Sequence, residues 1–318
     1  MQNSLALPAK RIHLVAFFLL AFTLSWSVWI PAALASRGLF SLQISPLLTD
    51  LLGTFGPSLA ALIVLSVTSG AKGVGSLLRR LLLWRVGLQW YAFVLLWPAF
   101  LSLAASGLAV LFGDPAPDFA HPPVLRFASL PPEARGIGLL VLLSIAFLQQ
   151  FFLGSSMGEE LGWRGYALPR LQARHSALLA SIVLGLLWGL WHLPLFLTQG
   201  DPRASIPLGW WMAGIVLASI IYTWVYNHTQ GSLLIALLLH TTTALTSSFL
   251  ASAATASMFE VVVQLVAVSI LVLITGPTSL SRQQKLARAS VADAHQALPT
   301  ESTTHKQQGE LNLRRSSD

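Results

Sequence analysis

The amino-acid sequence predicts an all-α, polytopic membrane protein with eight transmembrane helices. Of its 318 residues, 54% are hydrophobic and only 10% are charged, a composition that suits a protein dissolved in lipid. Apolar runs of about 17 to 24 residues recur along the chain, each long enough to cross a hydrocarbon core of roughly 30 Å. Backbone groups in lipid must be satisfied within a segment and no barrel-strand alternation occurs, so the runs predict helices that enclose an intramembrane cavity.

The eight runs define one membrane domain over residues 13–277. Their bounds, each to within several residues, are His13–Ala35, Leu51–Val67, Gln89–Phe112, Ile137–Leu153, Ala177–Leu197, Pro207–Tyr226, Gly231–Leu250 and Phe259–Gly276. Residues 1–12 are an N-terminal tail, and the polar composition of residues 278–318 predicts a disordered C-terminal tail. Arginines among leucines and tryptophans over residues 76–90 predict a helix on the cytoplasmic leaflet.

The basic residues are distributed unequally between the two faces of these spans. The net charge is +7, and 15 of the 19 Lys and Arg residues fall on the face that includes both termini. The opposite loops hold Arg37, Arg126, Arg135 and Arg203. This asymmetry predicts both termini in the cytoplasm and a lipid bilayer, with no nucleic acid, as the partner. The chain has no cysteine, which excludes disulfides, thiol catalysis and cysteine-ligated metals.

A few ionisable residues interrupt the apolar segments, where their cost makes them candidates for function. Glu160 and Arg164 stand four residues apart, so a helix over residues 157–166 would pair them. Glu159 would point about 100° away from Glu160. It would then be free to face a cavity as a general base or a metal ligand.

Two histidines complete the candidate site. Trp188 precedes His192 by one helical turn, and His240 lies among leucines and threonines in the seventh span. A buried, neutral imidazole suits metal binding or proton transfer.

The carboxylates reach the depth of the histidines only if the fourth helix is long. It must continue past Glu159 to about Leu168, where Pro169 and Arg170 predict its end. The small residues of the stretch 154–158 would let neighbouring helices and water approach this helix closely.

These residues resemble the motifs of the CPBP family of CAAX proteases and bacteriocin-processing enzymes, also called Abi, which is related to the type II CAAX prenyl endopeptidase. Its EExxxR motif matches Glu159-Glu160-Leu-Gly-Trp-Arg164, its aromatic–histidine motif matches Trp188 and His192, and its third motif begins at His240. The resemblance extends over about residues 45–250.

The resemblance implies an intramembrane endopeptidase of the bacterial cell membrane that cleaves peptides or the C-terminal ends of membrane proteins. Glu159 would activate water with support from Glu160 and Arg164. His192 and His240 would assist that water or, with Glu159, bind a divalent ion such as zinc. The family usually has Asn or Asp four residues after the third-motif histidine, whereas this chain has Ala244, which cannot donate a hydrogen bond.

Two other functions are compatible with the same residues. A catalytically impaired family member could bind a peptide or a membrane partner as an immunity or regulatory protein, which Ala244 favours. A proton-coupled transporter could use Glu159 and His192 as a relay. The sequence gives no indication of oligomeric state or of a particular substrate.

Overall fold

A computed structural model describes residues 11–39, 41, 45–117, 135–250 and 256–281. All regular secondary structure in these ranges is helical, which confirms the predicted all-α class. The predicted C-terminal tail from residue 282 onward, and residues 1–10 of the N-terminal tail, lie outside the described residues. The helices are α1 (Arg11–Ser36), α2 (Pro46–Thr54), α3 (Gly56–Arg79), α4 (Leu88–Leu111), α5 (Arg135–Phe152), α6 (Ser155–Glu160), α7 (Leu168–Gln172), α8 (Ala177–Trp191), α9 (Leu193–Phe196), α10 (Leu208–His228), α11 (Leu233–Phe249) and α12 (Ala256–Thr275).

Six helical stretches of the described residues are long and apolar enough to cross a membrane. They are α1, α2 with α3, α4, α5 through α7, α10 and α12. The other two predicted spans correspond to shorter apolar helices, α8 with 15 residues and α11 with 17. These measure about 22 and 26 Å, less than the hydrocarbon thickness of roughly 30 Å. The count of eight spans therefore stays a prediction. His192 caps the C-terminal end of one of the two short helices, and His240 lies within the other.

The structure corrects the predicted surface helix over residues 76–90. Helix α3 continues to Arg79 and into a 3-10 turn, and α4 begins at Leu88, so this segment joins two spanning helices. Arg80 turns inward, where its Nη1 donates to the hydroxyl of Tyr226 at 2.6 Å and to the carbonyl of Gly165 at 3.3 Å. These partners come from distant parts of the chain, so the local pattern of basic and apolar residues could not indicate them.

The fourth predicted helix continues past the two glutamates, as the depth argument requires. It breaks at Gly154, whose backbone is extended, and resumes as α6, a π-helix over Leu161–Ala167 and then α7. The predicted end at Pro169 is wrong, because the helix ends at Gln172. In an α-helix the N–H of residue 169 would bond the Gly165 carbonyl, but proline has no N–H. Arg80 supplies a donor to that carbonyl instead.

The motif helix, defined as α6 and the π-helix together (Ser155–Ala167), packs closely against α2 and α3 through glycines. A Cβ atom on Gly158 would lie 2.9 Å from the carbonyl oxygen of Thr54, and one on Gly162 would lie 2.5 Å from that of Pro57. Both distances are too short for a real contact. The predicted close approach at the small residues is thus present at Gly158 and extends to Gly162.

Candidate active site

Glu160 and Arg164 form a fully buried ion pair. Both side chains are 0% exposed, and Arg164 Nη1 donates to Glu160 Oε1 at 2.9 Å. The spacing of four residues places both side chains on one face of the motif helix, as predicted. The same Glu160 oxygen lies 2.7 Å from Nδ1 of His240 on α11. Because an ionised carboxylate can only accept, Nδ1 of His240 carries the proton in this hydrogen bond.

Arg164 is also held between two aromatic rings. Its guanidinium carbon lies 4.2 Å from the ring centroid of Trp188 and 4.0 Å from that of Tyr222. Its Nε and Nη2 atoms have no hydrogen-bond partner among the described residues. Cation–π contacts in a desolvated setting are worth about 2 kcal/mol or more. The two rings therefore compensate part of the cost of burying this cation.

Glu159 has surroundings different from those of Glu160. It is 2% exposed, and its Oε2 accepts the indole N–H of Trp188 at 2.5 Å and that of Trp163 at 3.2 Å. Within the described part of the chain, both hydrogen bonds of this carboxylate go to Oε2. The Oε1 atom is left without a protein donor there, so it is the oxygen available to a water molecule. The adjacent carboxylates thus diverge, as the helical spacing predicts.

His192 ends α8 inside a group of four tryptophans. The ring centroids of Trp191, Trp211, Trp188 and Trp29 lie 4.7, 5.4, 6.1 and 6.4 Å from that of the imidazole. Its Nδ1 is 2.8 Å from the carbonyl oxygen of Trp188. A carbonyl only accepts, so Nδ1 carries the proton and Nε2 keeps a lone pair. The aromatic group fixes this ring and excludes water from most of its surface.

Trp188 links the parts of the site. Besides its hydrogen bond to Glu159 and its stacking on Arg164, its ring packs edge to face against His240 at 5.8 Å. The structure therefore brings together all five predicted residues from three separate helical segments, with exposures of 0–8%. Their catalytic roles, and the cavity expected around them, stay predictions.

The side chains expected to hold a metal are arranged differently from a metal site. Within the described residues, no group of three His, Asp or Glu side chains is placed to bind one ion. Glu159 faces two indole N–H groups, and Nδ1 of His240 faces Glu160. A metal held by Glu159, His192 and His240 therefore stays a prediction, and no step below uses a metal.

Two side chains that the sequence analysis missed contact the carboxylate cluster. Trp163 stands four residues after Glu159, so the spacing rule that paired Glu160 with Arg164 could have found it. Tyr222 lies on α10, far away in sequence, and no local signal connects it with Arg164. Only the packing of α10 against the motif helix reveals its position.

Comparisons with known proteins relate this cluster to a family. A family model described as type II CAAX prenyl endopeptidase Rce1-like matches residues 139–246, a range that contains all five predicted site residues. The chain is also 28% identical over 237 residues to CAAX prenyl protease 2 of Methanococcus maripaludis, an alignment that covers 70% of this chain and 80% of that protein. These two similarities confirm the resemblance seen in the three motifs.

The similarity to a CAAX prenyl protease and the apolar helices together indicate an integral membrane protein that is homologous to a protease. The family-model match spans the motif helix, α8 and α11.

Proposed function

We propose that this protein is an intramembrane endopeptidase that uses Glu159 to activate water. The observation that carries the proposal is the position of Glu159 within the buried cluster. It is 2% exposed, it is anchored through Oε2 by two indole donors, and it shares Trp188 with His192 and His240. A fixed carboxylate in a dry site is suited to general-base catalysis, which contributes about 100- to 10,000-fold to a rate.

In the proposed mechanism, Oε1 of Glu159 takes a proton from water while the water oxygen attacks the peptide carbonyl carbon. The lone pair on Nε2 of His192 accepts the second hydrogen bond of that water and orients it. The carbonyl oxygen becomes an oxyanion, the carbon–nitrogen bond then breaks, and Glu159 returns its proton to the leaving amine. His240 donates its Nδ1 proton to Glu160, which fixes the orientation of its ring beside the reacting carbonyl.

Glu160 and Arg164 support this chemistry from outside the reacting atoms. Arg164 fixes Glu160 at 2.9 Å, and Glu160 fixes the ring of His240 at 2.7 Å. A carboxylate behind an imidazole sets its tautomer and orientation, as it does in other hydrolytic sites. Both residues are therefore positioning residues in this proposal.

We infer the substrate class from the location of the site and from the relative. The motif helix belongs to one of the six helical stretches able to cross a membrane, so we expect the cleaved bond to belong to a segment that enters the membrane. The relative is named a CAAX prenyl protease, which makes the C-terminal end of a lipid-anchored protein the first candidate. Quenched fluorescent peptides that end in a C-a-a-X sequence, with and without an isoprenyl group on its cysteine, compare that candidate with unmodified membrane peptides.

Cleavage of these peptides by purified protein tests the proposal. Glu159→Gln removes the base and is expected to lower kcat by at least about 100-fold. Glu260→Gln, which alters a glutamate on the remote helix α12, is the control and is expected to keep full activity. Wild-type cleavage that persists unchanged in Glu159→Gln would contradict the mechanism. Millimolar 1,10-phenanthroline is expected to leave the rate unchanged, and a loss restored by zinc would establish a metal requirement instead.

A second candidate function rests on Ala244. The position lies one turn after His240 on α11 and offers no side-chain donor. Thr241 does not replace it, because its hydroxyl lies 2.8 Å from that of Ser156 in a buried helix contact. A family member that binds peptides without cleaving them would show saturable peptide binding and no product, with cleavage appearing in Ala244→Asn.

A further inference from the structure

The geometry points to the hydroxyl of Tyr222 as the oxyanion donor that takes the place of the missing side chain at position 244. This inference rests on the proposed endopeptidase function and deepens it. Proteolysis creates a tetrahedral oxyanion, and a site that loses one hydrogen bond to it loses about 100- to 1000-fold in rate. A chain with alanine at this position needs a donor from elsewhere if it is to keep that rate.

Tyr222 lies at the centre of the buried cluster. It is 4% exposed, and its ring stacks on the guanidinium of Arg164 at 4.0 Å. The same ring packs edge to face against Trp188 at 5.8 Å and against His240 at 6.0 Å. These three contacts hold the ring plane from three directions, so the phenolic oxygen has a fixed position.

The hydroxyl of Tyr222 points toward the turn of α11 that follows His240. Its neighbour there is the side chain of Thr243, the residue directly before Ala244. Thr243 donates its own hydroxyl to the carbonyl of Leu239 at 2.8 Å. A hydroxyl has one proton, so toward Tyr222 the threonine oxygen can only accept. The phenol therefore keeps its own proton available for donation.

Access to this hydroxyl pair comes from the side of Thr243. Thr243 is exposed, whereas Thr241 and Thr242 before it are buried. A substrate carbonyl that approaches His240 along this face of α11 would reach the phenol in place of the amide that the family usually has there. The Tyr222 hydroxyl would then donate a hydrogen bond to the oxyanion, without covalent bond breaking.

Tyr222→Phe tests this role because phenylalanine keeps the ring and its stacking on Arg164 while removing only the donor. We expect kcat for a cleaved membrane peptide to fall about 100-fold or more, with KM and the thermal midpoint in detergent almost unchanged. Tyr226→Phe is the matched control on the same helix. Its hydroxyl bonds Arg80 outside the cluster, so its kcat is expected to stay at the wild-type value.

Restoration of activity by a second substitution distinguishes a hydrogen-bond donor from a tyrosine that only packs against its neighbours. Ala244→Asn in the Tyr222→Phe background restores a donor one turn after His240. The kcat of this double variant is expected to be at least about tenfold higher than that of Tyr222→Phe. Full activity of Tyr222→Phe, with Glu159→Gln inactive, overturns this inference and leaves the proposed function standing. A fall in kcat that Ala244→Asn does not recover also overturns it. A wild type that cleaves no peptide overturns both.

Discussion

At the scale of single residues, two adjacent glutamates have separate environments because each has a different set of donors. Glu160 bonds a cation and an imidazole, whereas Glu159 bonds two indoles. The ion pair of Glu160 with Arg164 is completely desolvated. Removing one partner of such a pair leaves the other charge buried and uncompensated.

Arg164→Met is expected to lower the free energy of unfolding by about 3–5 kcal/mol, because buried Glu160 loses its arginine partner. Equilibrium unfolding in mixed detergent micelles measures the loss. The double variant with Glu160→Met removes both charges and is expected to be more stable than the single variant. Arg203→Met serves as the control, since its pair with Asp201 is partly exposed and is worth about 1 kcal/mol or less. Equal losses of unfolding free energy in Arg164→Met and Arg203→Met would show that burial of an ion pair does not determine how much its removal destabilises the protein.

At the scale of helical elements, the motif helix depends on the absence of side chains where it meets α3. Its π-helical part is a rare geometry that frequently occurs at functional sites. Gly162 faces the backbone of Pro57 within this part. A backbone carbonyl cannot rotate away as a flexible side chain could, so an added methyl group must displace one helix.

Gly162→Ala is expected to destabilise the protein by about 1–3 kcal/mol through overpacking against α3, and to reduce peptidase activity by moving Glu159. Gly107→Ala is the matched control, because a Cβ on Gly107 of α4 meets nothing within 4 Å. That control is expected to gain up to about 1 kcal/mol from helix propensity. Thermal unfolding and kcat, measured on both variants, check the prediction. Similar stability changes in the two variants would contradict a packing cause.

At the scale of the whole molecule, orientation in the membrane follows from the placement of the cations. The fifteen Lys and Arg residues on the face of the termini include Arg164, whose side chain is buried in an ion pair. Without it, fourteen Lys and Arg residues fall on the face of the termini and four on the other face. The bias remains strong enough that we propose both termini in the cytoplasm.

The absence of cysteine from the chain makes this orientation testable by labelling. Ser205→Cys, in a 3-10 turn between α9 and α10, is expected to react with a membrane-impermeant maleimide in intact cells. Ser4→Cys and Ser317→Cys are expected to react only after the membrane is permeabilised. The cysteine-free parent controls for background. Labelling of either terminal position in intact cells would reverse the proposed orientation.

The sequence by itself determined the helical class, most helix positions and the five residues of the buried cluster. Hydropathy over about 20 residues and spacing along one helix are local properties, so they can be evaluated without a fold. The pairing of Glu160 with Arg164 and the divergence of Glu159 both follow from helical spacing.

Only the tertiary structure decided which helices face one another and which partners the buried charges find. Tyr222 at Arg164 and Arg80 at Gly165 are contacts between segments distant in sequence, so no local pattern specifies them. The same contacts explain how the helical stretch after the motif helix tolerates Pro169 and where a donor near Ala244 can come from. Buried polar groups must be satisfied, but the fold chooses which group satisfies them.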